Sequence, residues 1–171
     1  MNLERHVVLV HPEIHWNTGN IGRTCLGVGA RLHLVKPLGF SLDDRMVKRA
    51  GLDYWHLVDP VVWNDFNTLC IEMKIRPEEI ALLTKNGRRS FRKLPERERL
   101  FLIFGSETIG LPDNIINRYD SSLTYHIPIS RQIRSLNLSS AVAIVLYESL
   151  RSADTDLHEW GDPPPALDQP S

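Results

Sequence analysis

The sequence predicts an α/β fold with a mostly parallel sheet flanked by helices, and three observations predict it. Short apolar runs of strand length recur along the chain: HVVLV over residues 6–10, RLHLV over 31–35 and LFLIF over 100–104. Stretches of helical apolar period separate them, the alternation that builds βα units. Polar loops then follow the strands at 84–87, 105–112 and 128–137, where ligands gather in parallel sheets.

The elements follow in order. The first strand, His6 to Val10, ends at His11-Pro12, because proline cannot continue a ladder. The segment EIHWNTGNIGRTCLGVGA reads as a helix with Asn17 or Thr18 as N-cap and Gly29 as its stop. Ile21, Cys25 and Val28 share one face, and Gly19, Gly22 and Gly27 each weaken it by roughly 1 kcal/mol relative to Ala. Arg31 to Val35 alternates as a second strand, closed by Lys36-Pro37-Leu38-Gly39. A short helix is expected over Asp43 to Ala50, with Ser41 or Asp43 near its cap, and a brief strand over Tyr54 to Val58. Asn64 to Lys74 is helical, with Phe66, Leu69, Cys70 and Met73 on one face.

Ile80 to Leu83 is a strand, followed by the turn Thr84-Lys85-Asn86-Gly87. Leu100 to Phe104 reads as a strand buried on both faces and runs into Gly105-Ser106-Glu107-Thr108-Ile109-Gly110-Leu111-Pro112. A helix near Asp113 to Arg118 and a strand near Leu123 to Ile127 lead to the irregular stretch 128–137. From Leu138 the chain is apolar on nearly every side, with Ala141, Val142, Ile144, Val145, Leu146 and Leu150. Such a helix needs cover from its own domain or from a second subunit.

Residues 1–151 form one domain in this reading, and 152–171 a polar, acidic tail expected to be disordered. No run approaches the roughly 18 apolar residues of a membrane span, and no signal pattern opens the chain, so a cytoplasmic protein without membrane attachment is expected. Cys25 and Cys70 are too few for a disulfide scaffold. The net charge of −1 hides an asymmetry: the tail carries five acids and no Lys or Arg, leaving 20 basic against 16 acidic residues in the body. Arg88, Arg89, Arg92 and Lys93, then Arg131 and Arg134, are compatible with an anionic partner, nucleic acid included.

Several familiar sites are absent. Gly27-Val28-Gly29 lacks a third glycine and precedes a strand, so it is no dinucleotide fingerprint. His11 and His15 flank a proline without a third ligand, and no metal is expected. Ser106 lies outside a G-x-S-x-G elbow. Other residues admit two readings. Asn17 is a helix cap or aims its amide at a ligand; Arg23, six residues on, is solvated or meets a phosphate or carboxylate. Glu107 is a turn residue paired with a basic neighbour, or a carboxylate reaching a site. Asn137 caps the last helix, and Ser135 beside it faces a ligand in the functional reading.

Three stretches together resemble the motifs of SPOUT-class RNA 2′-O-methyltransferases: Asn17-Thr18-Gly19-Asn20-Ile21-Gly22-Arg23-Thr24-Cys25, Phe104 through Pro112, and Ile127-Pro128 with Arg134-Ser135-Leu136-Asn137-Leu138-Ser139. Lys36 to Phe40 and Arg49 to Trp55 narrow the resemblance to the small single-domain enzymes that methylate the ribose of the tRNA wobble cytidine or uridine. It covers about residues 6 to 151.

The resemblance implies a C-terminal trefoil knot, a homodimer, and S-adenosylmethionine bound near Leu82, Gly105, Ile127, Ser135 and Leu136. By the same match, Arg23, Asn17, Glu107, Ser135 and Asn137 surround the reaction, and Arg88, Arg89, Arg131 and Arg134 contact tRNA. Methylation at another tRNA or ribosomal RNA site, an inactive knotted RNA-binding module and a nucleotide-using small-molecule enzyme are the competing readings. Two positions depart from the family pattern. Trp16 stands where a smaller residue is common, either as a stacking platform or as a core or interface residue, and Ile109 replaces a polar group.

Overall fold

The computed structural model describes residues 3–42 and 54–152. Its elements are β1 (Glu4–Val10), α1 (His15–Gly27), β2 (Arg31–Val35), α2 (Trp55–Val58), β3 (Val61–Trp63), α3 (Phe66–Glu72), β4 (Ile80–Leu83), β5 (Arg89–Ser90), β6 (Arg99–Phe104), α4 (Asp113–Ile116), β7 (Thr124–His126) and α5 (Leu138–Glu148). Among the described residues the strands form one sheet in the order β3-β2-β1-β6-β4-β7-β5, and every ladder is parallel. The helix expected over Asp43 to Ala50 and the tail from 153 onward lie outside the described residues.

Period-two alternation divides the core into two layers. Val7 and Leu9 of β1, with Leu100, Leu102 and Phe104 of β6, meet Ile21 and Cys25 of α1 and Val142, Val145 and Leu146 of α5. Val8, Val10, Phe101 and Ile103 face the other way, onto Phe66 and Leu69 of α3 and Ile115 of α4. Full burial of one such side chain is worth on the order of 2 kcal/mol in transfer free energy. Continuously apolar strands are therefore what a sheet covered on both faces requires.

Two local expectations are corrected. The N-cap of helix α1 is Ile14, not Asn17 or Thr18; the helix begins at His15, and Ile14 supplies no side-chain cap. Residues 55–58 are a single helical turn ended by Asp59 in the left-handed region (φ 41), and the strand lies beyond Pro60, at Val61–Trp63. Of the apolar residues of helix α5, its own chain leaves Ile144 40% exposed and Tyr147 55%. Its N-cap is Asn137, as expected, whose side chain accepts from Ser139 N and Ser140 N.

The amino edge of the sheet is rich in buried polar groups. Arg5, 3% exposed, donates to the carbonyls of Glu4, Arg97 and Glu98 and to both Ser149 oxygens, which fixes the C-terminal end of α5. Burial lowers its pKa to about 10. Glu79 accepts from Arg76 at 2.7 Å and Arg99 at 2.8 Å. Burial opposes its ionisation, but the hydrogen bonds from Arg99 and Arg76 prevail and lower its pKa to about 2.

Candidate active site

Strands β6, β4 and β7 are neighbours, so the loops leaving their carboxyl ends, 105–112, 84–87 and 127–137, converge on one edge. Two glycines permit this crowding. A Cβ on Gly105 would lie 1.9 Å from the Gly110 carbonyl carbon, and one on Gly87 2.2 Å from that of Tyr125. The His126 ring sits 2.7 Å from the Gly87 carbonyl, which ties the second loop to the third.

Glu107 organises the edge. Its Oε2 accepts from the Glu13 N–H at 2.8 Å, and its Oε1 from the Ile14 N–H at 3.2 Å and from Asn17 Nδ2 at 3.0 Å. The carboxylate thus serves the uncapped start of α1 from another loop, where the helix dipole favours negative charge. It pairs with amides, not with the basic neighbour of its simpler reading. Asn17 Oδ1 accepts from Asn137 Nδ2 at 3.1 Å, and Asn137 Oδ1 takes the Ser139 amide at 2.9 Å. One hydrogen-bonded path therefore joins the three sequence motifs, from the β6 loop through α1 to the cap of α5.

The other residues named from sequence lie outside this hydrogen-bonded path. Arg23 is exposed on α1, its guanidinium carbon 5.4 Å from the centroid of the Tyr54 ring. No direct bond from Arg23 to Asn17, Glu107 or Asn137 is formed. Ser135 is exposed, Leu136 and Ile127 are half-buried, and Leu82 and Gly105 are buried at the ends of β4 and β6. Arg88, Arg89, Arg131 and Arg134 are exposed; Arg88 also donates to Ser121 Oγ at 3.1 Å. Arg89 belongs to β5, a two-residue strand that no periodicity announces.

Sequence reasoning missed Glu13 and Thr108. Glu13 Oε2 accepts from the Thr108 N–H at 3.0 Å and from its hydroxyl at 2.6 Å, which staples the β6 loop to the start of α1. No local pattern signals that bond, since its partners are 95 residues apart. Among the described residues no group of His, Cys, Asp and Glu could hold a metal ion.

Residues 4–147 match the model of the SpoU rRNA Methylase family. A Bacillus subtilis (strain 168) protein provisionally named a tRNA (cytidine(34)-2′-O)-methyltransferase is 46% identical over 150 residues, covering 85% of this chain and 91% of its own. The tRNA (cytidine(34)-2′-O)-methyltransferase of Methylovorus glucosotrophus (strain SIP3-4) is 41% identical, covering 86% and 95%. A structure solved for the 2-OH methylation of C/U34 on tRNA superposes with a TM-score of 0.79 at 38% identity, covering 88% of this chain and 97% of that one. The chain belongs to the SpoU methylase family.

Proposed function

We propose that this SpoU-family chain is an S-adenosylmethionine-dependent methyltransferase acting on the ribose 2′-hydroxyl of the wobble nucleotide, cytidine or uridine 34, of tRNA. The observation that carries the reading is the path from Glu107 through Asn17 to Asn137, which unites the three motifs at the carboxyl edge. The relatives with that named activity span nearly the whole chain.

The cofactor's fit rests on the loop chemistry. Gly105 lets the Gly110–Leu111 backbone close against the end of β6 and so shapes the loop, and Ile127 and Leu136 offer half-buried apolar surface. Among the described residues, the hydrogen bonds donated by N–H groups of 128–136 are those of Gln132 and Ile133 to Ser130, so the other amides there are free for a ligand. Leu82, Gly105, Ile127, Ser135 and Leu136 would hold S-adenosylmethionine, which supplies an electrophilic methyl group when bound. The chain's own task is to seat the RNA and position the hydroxyl. Arg23 is always protonated and cannot be the base; its free fork orients or neutralises a phosphate. Glu107 already accepts three hydrogen bonds, so it positions Asn17 and α1, and Ser135 and Asn137 complete the rim. Arg88, Arg89, Arg131 and Arg134 meet the tRNA backbone.

The exposed Ile144 and Tyr147 of α5 support a homodimer in which a second copy covers this face. The fold of the relatives supports a trefoil knot in the C-terminal part, and the tRNA substrate a cytoplasmic site of action. The test is methyl transfer from S-adenosylmethionine to a tRNA transcript. Transfer should vanish when the wobble nucleotide is replaced by its 2′-deoxy form, and equal transfer to both transcripts would refute the reading.

A further inference from the structure

Helix α1 turns one stripe away from the sheet. Trp16, Asn20, Arg23 and Gly27, at spacings of four, three and four, are all exposed, while Ile21 and Cys25 enter the core. Trp16 is 60% exposed, which excludes a core role, and it directly precedes Asn17. The His15 ring packs against its indole in an edge arrangement, with centroids 4.8 Å apart. The neighbouring turn, stapled through Thr108 to Glu13, carries Ile109, 79% exposed. Two large apolar groups are therefore displayed beside the site.

We propose that Trp16 is the platform on which an unpaired base of the RNA substrate stacks, beside the ribose that is methylated. The inference rests on the function proposed above and adds a residue that holds the substrate. Single-stranded loops are recognised by stacking on aromatic rings, with cationic groups tracking the backbone. The stripe has that composition: Trp16 for a base, Arg23 about 10 Å further along the axis for a phosphate, and Asn20 between them. A second copy of the chain is the other conceivable occupant. It suits the Ile144 and Tyr147 face of α5 better, because the stripe of Trp16 is otherwise polar and positively charged.

The test measures binding of a labelled anticodon stem-loop by fluorescence anisotropy without methyl donor, together with molar mass by light scattering. Trp16→Ala should weaken binding about 5- to 150-fold, the range that loss of one base stack implies. Trp16→Phe should restore most of it, and both variants should keep the molar mass and the S-adenosylmethionine affinity of the parent. Unchanged stem-loop affinity in Trp16→Ala overturns the proposal, as does a fall in molar mass that parallels the loss of binding. Failure of the parent protein to methylate position 34 would count against the functional reading alone, because the binding comparison is made without turnover.

Discussion

The two edges of the sheet solve opposite problems. At the amino edge, charged side chains are buried and their partners supplied: Arg5 by backbone carbonyls and Ser149, Glu79 by Arg76 and Arg99. His33 and His6 extend the same logic. Trp63 Nε1, which can only donate, lies 3.0 Å from His33 Nδ1; His33 Nε2 is 2.8 Å from His6 Nδ1, and His6 Nε2 is 2.9 Å from Glu4 Oε1. Both rings must then carry their proton on Nε2, and the chain of donors closes without spare valence. At the carboxyl edge the links are neutral amides and a hydroxyl around two carboxylates, Glu107 and Glu13, and Arg23 and Ser135 stand exposed with capacity to bond. Helix α5 spans both edges, held by Asn137 at one end and by Arg5 at the other. The fold is secured at the edge away from the candidate site.

The sharpest way to break this division is at Arg23. Arg23→Ala should reduce methyl transfer by at least about 100-fold, the scale of losing one charge-stabilising donor, with the melting temperature unchanged in a thermal scan. The converse change is Arg5→Met, which leaves the Ser149, Arg97 and Glu98 carbonyls without their donor. A loss of roughly 3 kcal/mol is expected, seen as a fall of about 6–12 °C in Tm, while turnover per folded molecule holds in assays well below the transition.

A smaller effect should follow from acid. Burial, with the nearby His6 and Arg31 charges, lowers the His33 pKa from 6.5 to about 3, and burial lowers that of His6. The unfolded chain binds a proton below pH 6.5 where the folded His33 does not, so stability falls as pH drops through that window. The loss attributable to His33 is about 2 kcal/mol by pH 5, measurable by urea unfolding and diminished in His33→Leu. Smallest is Asn137→Asp. It keeps the cap, so stability should move by less than about 0.5 kcal/mol. It removes the amide that donates to Asn17, and transfer should drop about tenfold, the weight of one such hydrogen bond.

The amino edge was the less legible of the two in sequence. The apolar alternation of β1, β2, β4 and β6 announced the parallel sheet, and Asn137 announced the start of α5, because those signals are local. Arg5 lay just outside the run read as a strand, and a buried guanidinium can be inferred only from the carbonyls that surround it. The local signals place the N-cap of helix α1 three or four residues late because its capping group, Glu107, comes from 93 residues away. Tyr54 to Val58 resembles a strand by composition; Asp59 and Pro60 instead end a helical turn at Val58 and let Val61 begin the strand. At the carboxyl edge, Asn17, Glu107 and Asn137 each carry a structural and a functional reading in the sequence, and the family resemblance favours the functional one. Their union into one hydrogen-bonded path is a product of the fold.

The central claim is that this edge serves methylation of one ribose. Mass mapping of 2′-O-methyl ribose in tRNA from a strain lacking the gene tests it most directly. The methyl group at position 34 should disappear and return with the parent gene, but not with Arg23→Ala. An unchanged wobble nucleotide, or a methyl lost only elsewhere, would contradict the account.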